Sequence, residues 1–175
     1  MAIIKPNNNT ISAITALPTA ITTGKVLQIQ STNKTDTSSF SIGDTNFTDV
    51  PGLSVAITPS ATSSKIFVIA TVICAMNNNT YGSMIGPRLQ RGSTAIGQGG
   101  NSITAATVLG ENESSVYARF TAPLQVLDSP SSTSELTYKV TAKNYLGGTE
   151  TCIINGTKNG AASGSSNITV FEIAG

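Results

Sequence analysis

The 175-residue chain carries ten Lys and Arg against nine Asp and Glu, with a net charge of +1, so it lacks the basic stripe that grips a nucleic-acid backbone. It contains no His and no Trp, which removes His-dependent catalytic triads, most zinc sites and the usual proton shuttle near neutral pH. About a third of the residues are Ser, Thr or Asn and only 11% are charged, a surface chemistry that suits the strands and turns of a β-rich extracellular or particle-surface protein better than a cytosolic enzyme.

The length fits one domain with a core that needs no staples. Residues 1–23, "MAIIKPNNNTISAITALPTAITT", hold isolated apolar residues, two prolines and no sustained period, so they are expected to form an extended N-terminal arm. The opening residues reach Pro6 and an asparagine run too soon for a signal peptide. No apolar run approaches the ~20 residues of a membrane-spanning helix, and membrane insertion is not expected.

From Gly24 onward, short runs of β-branched and aromatic residues alternate with Gly, Pro, Asn and Ser clusters, the spacing of an all-β domain. "KVLQIQ" (25–30), "SSFSI" (38–42), "NFTDV" (46–50) and "LSVAI" (53–57) read as successive strands. In the last, Leu53, Val55 and Ile57 share one face, the mark of a half-buried strand. "KIFVIATVICAM" (65–76) is apolar on both faces, with Ile66, Val68, Ala70, Val72 and Cys74 on one and Phe67, Ile69, Thr71 and Ile73 on the other. Antiparallel sheets ordinarily show water one face. The second face of this strand is therefore expected to pack on another copy of the chain, or under a loop of its own domain.

In "RLQRGSTAIGQGG" (88–100), Gly92 and Gly97 have the separation of a phosphate-binding loop, but Gln98 and Gly99 stand where Lys and Ser or Thr are required. A dinucleotide loop would need a third glycine at Ser102 and a following helix. A turn between a strand ending near Arg91 and a short strand at 94–96 explains the glycines better. "SVYARFTAPLQVL" (115–127) and "LTYKVTA" (136–142) flank "DSPSSTSE" and read as an antiparallel pair; "TCIIN" (151–155) and "NITVFEI" (167–173) complete the set. Nine or ten strands without a helix predict an antiparallel two-sheet β-sandwich, a jelly roll.

The candidate chemistry is thin. "DTNFTD" (44–49) starts like a calcium loop but lacks its glycine and its closing glutamate. Glu111, Glu113 and Asp128 are the carboxylates available for glycoside hydrolysis, with no fixed pair among them. Cys74 and Cys152 lie in apolar strands and read as buried free thiols, a single bridge being the alternative. Glu172 shares a strand face with Val170 and is expected to be semi-buried and paired with Arg88, Arg91 or Lys139, a structural role. No catalytic residue, metal or cofactor is expected.

The phrases "GKVLQIQSTNKTDTSSFS", "FTDVPGLSVAITPSATSSKIFV", "RLQRGSTAIGQG", "LDSPSSTSELTYKV" and "SSNITVFEIAG" together resemble a family of structural and tail-fibre-tip proteins of tailed bacteriophages, common in phages of marine bacteria and cyanobacteria. The resemblance covers most of 24–175. It implies a virion protein assembled in the bacterial cytoplasm, with a jelly roll of the trimeric tumour-necrosis-factor-like kind. Attachment to another virion protein would run through the arm, by Ile3, Ile4, Ile11, Ile14 and Leu17. A trimer would bury Phe67, Ile69, Thr71 and Ile73. The chain departs from the family in the loops holding Asn77, Asn78, Asn79, Tyr81, Glu111, Asn112 and Glu113, where a surface facing a host glycan or protein would vary. The expected function is thus a non-enzymatic tail-fibre or appendage protein. A head decoration protein is the second reading and a polysaccharide-degrading tailspike a distant third.

Overall fold

A computed structural model describes residues 24–76, 84–98, 107–108, 119–145, 148–157, 161 and 164–175. The arm at 1–23 and the loop residues Asn77, Asn78, Asn79, Tyr81, Glu111, Asn112 and Glu113 lie outside them. The described chain is all-β. Its strands are β1 (Val26–Lys34), β2 (Ser38–Ile42), β3 (Thr48–Ile57), β4 (Lys65–Met76), β5 (Met84–Arg91), β6 (Thr94–Ile96), β7 (Thr107–Val108), β8 (Arg119–Asp128), β9 (Leu136–Asn144), β10 (Glu150–Ile154) and β11 (Ser166–Ile173).

Every pairing is antiparallel, and the pairs nest. β1 pairs β11, β3 pairs β9, β4 pairs β8, and β5 pairs β6. A long hairpin wound around a barrel pairs first with last and second with next-to-last, which is the jelly roll. β10 and β11 lie end to end along one edge of β4, and β2 and β1 lie outside them in the same way. The first sheet is thus four columns wide, β1/β2, β11/β10, β4, β8. The second runs β3, β9, β5, then β6 and β7 as a split fourth column. The split falls beside Pro87, which has no N–H to offer a further strand.

The sequence alternation sets the core. Ile66, Val68, Ala70, Val72 and Cys74 of β4 point inward with Ile168 and Val170 of β11, Ala122 and Leu124 of β8, and Cys152 and Ile154 of β10. From the second sheet, Leu53, Val55, Ile57, Ile85, Leu89, Tyr138, Val140 and Ala142 join the same cluster.

Three expectations need correction. The runs at 46–50 and 53–57 are one strand, β3, carried through a register shift between Asp49 and Ser54 where Pro51 and Gly52 (φ 75°) form an irregularity. The strands on either side of "DSPSSTSE" do not pair: β8 joins β4 in the first sheet, and β9 lies between β3 and β5 in the second. The segment between them crosses from sheet to sheet, so each strand buries its apolar face from an opposite side of the core. The described strands number eleven rather than nine or ten.

The turn between β5 and β6 agrees with expectation. Gly92 and Gly97 take φ values of 55° and 60°, which side chains resist. A Cβ on Gly92 would meet open space, whereas one on Gly97 would lie 2.6 Å from Val126 Cγ2. Gly92→Ala is expected to cost about 1 to 2 kcal/mol, from backbone strain alone. Gly97→Ala adds the clash and should cost about 3 kcal/mol or more. Urea denaturation of the two variants checks the order.

Candidate functional site

The outward residues of β4 lie in register with apolar neighbours on both sides. Phe171 of β11 and Leu127 of β8 both stand opposite Phe67, and Ile29 of β1 stands opposite Phe171. The result is a straight apolar row, Ile29, Phe171, Phe67, Leu127, across all four columns of the first sheet. The rings of Phe67 and Phe171 meet with centroids 6.2 Å apart, within the range of favourable aromatic pairs. Phe67, Ile69, Thr71 and Ile73 are each half-buried. The ends of the row are open, with Ile29 54% and Leu127 53% exposed, and Val26 and Leu27 add to the patch at the β1 edge. One exposed leucine is ordinary; here the exposed residues continue a contiguous apolar row on a surface otherwise rich in hydroxyls.

Behind this face, polar clusters fix the sheet edges. Glu172 is fully buried and is not paired with Arg88, Arg91 or Lys139, which corrects the sequence expectation. Its Oε1 accepts hydrogen bonds from Ser60 N (2.7 Å), Ser60 Oγ (2.6 Å) and Ser64 Oγ (2.7 Å), and its Oε2 from Gln28 Nε2 (2.6 Å). Burial alone would raise the carboxyl pKa. The bonds from Ser60, Gln28 and Ser64 outweigh it and hold the pKa at about 2. Neutral donors suffice because four bonds replace the lost water, so no cation has to be buried beside it.

The arginines have other partners. Arg91 donates to Asp128 Oδ2 at 2.7 Å, and Tyr138 donates to the same oxygen at 2.8 Å. This joins the end of β8 in the first sheet to β5 and β9 in the second. Burial, then the bond to Asp128, pushes the Tyr138 phenol well above its ordinary range. Asp128, a candidate acid from sequence, is thereby engaged in holding the sheets together. Lys139 pairs with Asp49 at 2.8 Å. Arg88 lies over a ring that sequence reading did not single out, with its guanidinium carbon 3.5 Å from the Phe47 centroid.

A third cluster sits where both outer columns are interrupted. Asn155 (φ 55°) is buried; its N–H donates to Ile73 O, and its side-chain amide donates to Lys34 O at 2.7 Å and Asp36 O at 3.2 Å. Its Oδ1 accepts from Ser166 Oγ at 2.7 Å. Cys74 and Cys152 are both buried free thiols. Their mutual hydrogen bond, with burial, raises the Cys74 pKa well above the ordinary thiol value, so the reactive thiolate is suppressed.

No protein-family model matches the chain, and no curated protein matches it. Among solved structures, it is similar over 83% of its length to infectious bursal disease virus, Gx strain, at 10% identity and a TM-score of 0.36. It is similar over 85% of its length to the derived T=1 particles of infectious bursal virus, at 10% identity and a TM-score of 0.38. The alignments span 41% and 36% of those longer chains.

Because the folded pKa of Glu172 lies below its ordinary 4.5, its bonds contribute stability that is complete above that pH and is lost as pH falls through about 2. Denaturation midpoints measured across this window should fall for the wild type, and the fall should shrink in Glu172→Gln. At neutral pH the same variant should lose about 1 to 3 kcal/mol, since an amide offers one acceptor where two were used.

Proposed function

We propose that the chain is a non-enzymatic virion structural protein of a tailed bacteriophage, a homotrimeric tail-fibre or appendage protein at the host surface. The observation that carries this reading is the apolar row through Phe67, which runs the full width of one sheet and ends in exposed Ile29 and Leu127. A second and third copy of the chain are the occupants that cover it, since association buries apolar area roughly in proportion to the water removed. The resemblance of the strand phrases to fibre-tip proteins supports the trimer and the virion. Asp128, one of the candidate acids, is committed to Arg91 and Tyr138, which fits a non-enzymatic role. On this reading the arm at 1–23 docks on another virion protein.

Head decoration is the alternative. Antibody labelling of purified virions separates the two. Few copies at the tail support the appendage, and a lattice over the head supports decoration. Light scattering is expected to give three times the 17.9 kDa chain mass. Ile29→Lys, a change at an exposed site with little effect on the folded monomer, should shift the mass toward one chain. A wild-type monomer would overturn the trimer.

A further inference from the structure

The outer face of the second sheet carries a cluster that the apolar face of the first does not use. Thr141 of β9 stands opposite Arg88 of β5, and Lys143, two residues along β9, stands opposite Gly86. Asp49 is opposite Thr141 from the other side, so Phe47 approaches the same place from β3. Arg88 stacks on Phe47, and Lys143 Nζ lies 5.3 Å from the Phe47 ring centroid and 4.3 Å from that of Tyr145. Phe47, Arg88, Lys143 and Tyr145 are half-buried, each with part of its surface in solvent.

Three buried polar atoms here have no hydrogen-bond partner among the described residues: Arg88 Nε, Thr141 Oγ1 and Tyr145 Oη. Thr141 is only 1% exposed. Native proteins leave few such groups unmet, and clusters of them mark where a water, ion or ligand belongs. All three can donate, as can the Lys143 ammonium. Asp49, across the strands from Thr141, is held by Lys139, and among the described residues neither Arg88 nor Lys143 forms an ion pair with a carboxylate. Arg88 and Lys143, two part-exposed cations held against aromatic rings, are complementary to an oxyanion carried on a compact ring with apolar C–H faces, with the unmet polar atoms of Arg88, Thr141 and Tyr145 lying beneath them.

We propose that the Phe47, Arg88, Thr141, Lys143 and Tyr145 cluster binds an acidic saccharide, its carboxylate or sulfate on Arg88 and Lys143 and its sugar ring against the exposed aromatic surface. The oxyanion part stands on geometry alone. The assignment to a saccharide rests on the host-surface reading above.

Calorimetric titration of the purified full-length protein tests this with three probes: tetragalacturonate, its neutral methyl ester, and sodium sulfate. Tetragalacturonate should bind saturably and the ester about tenfold more weakly, because the charge-assisted bonds are lost. Lys143→Gln, a change at a half-exposed site that leaves the core intact, should weaken tetragalacturonate by about tenfold without shifting the melting temperature. Arg88→Lys should weaken it as well, since a lysine keeps the charge but not the planar stack. Equal binding of acid and ester, binding of sulfate alone, or binding indifferent to both variants would each overturn the proposal. Because the titration needs no virion, its failure leaves the particle role to be judged separately, by labelling and oligomer mass.

Discussion

Strand β4 is apolar on both faces, and most of the architecture follows from how its inward face and its two edges are covered. Its inward residues, from Ile66 to Cys74, meet the second sheet, and this packing forms the core. Its edges are filled by β8 on one side and by β11 and β10 in succession on the other. Its outward residues are only half covered by their own sheet. Phe171 shelters Phe67 from one side, but the row they form ends in open Ile29 and Leu127. A sandwich of this kind is complete as a fold and incomplete as a surface, which is why association with further copies is the natural reading.

Polar contacts hold the strands in the register that makes this apolar row continuous. Glu172 ties the connection between β3 and β4 to β11 and, through Gln28, to β1. Arg91, Tyr138 and Asp128 join the two sheets at the β8 end. Asn155 holds the point where the β10/β11 and β1/β2 columns break. Each cluster uses buried groups whose bonds are short and largely satisfied, and such clusters select one arrangement from many that an apolar core would tolerate. The cluster around Arg88 is different in kind, because Arg88 Nε, Thr141 Oγ1 and Tyr145 Oη meet no acceptor among the described residues.

Alternation made much of the fold readable from the residues. Leu53, Val55 and Ile57 and the inward series of β4 were assignable to a buried face because a strand has period two, and the two-faced character of β4 pointed to a second contact. Long-range partnership was not readable. Glu172 looked like half of an ion pair because a buried carboxylate usually needs a cation, yet its donors are serines 112 and 108 residues away and a glutamine 144 away. Nothing local distinguishes those hydroxyls from the many others in the chain. Likewise, β8 and β9 resemble a hairpin by spacing, and only the nesting of the whole jelly roll sends them to different sheets. The Phe47 and Arg88 stack joins strands that share no direct pairing, so no spacing rule could find it.

The central claim is that the Phe67 row is a contact between copies of this chain. A benzophenone amino acid installed at Phe67 and irradiated in the assembled protein tests it most directly, because the adduct forms only with what lies against the ring. The account predicts a covalent product of two or more chain masses, with the cross-linked peptide drawn from β1, β8 or β11 of a second copy. Adducts confined to one chain, at protein concentrations where the assembly is intact, would contradict it.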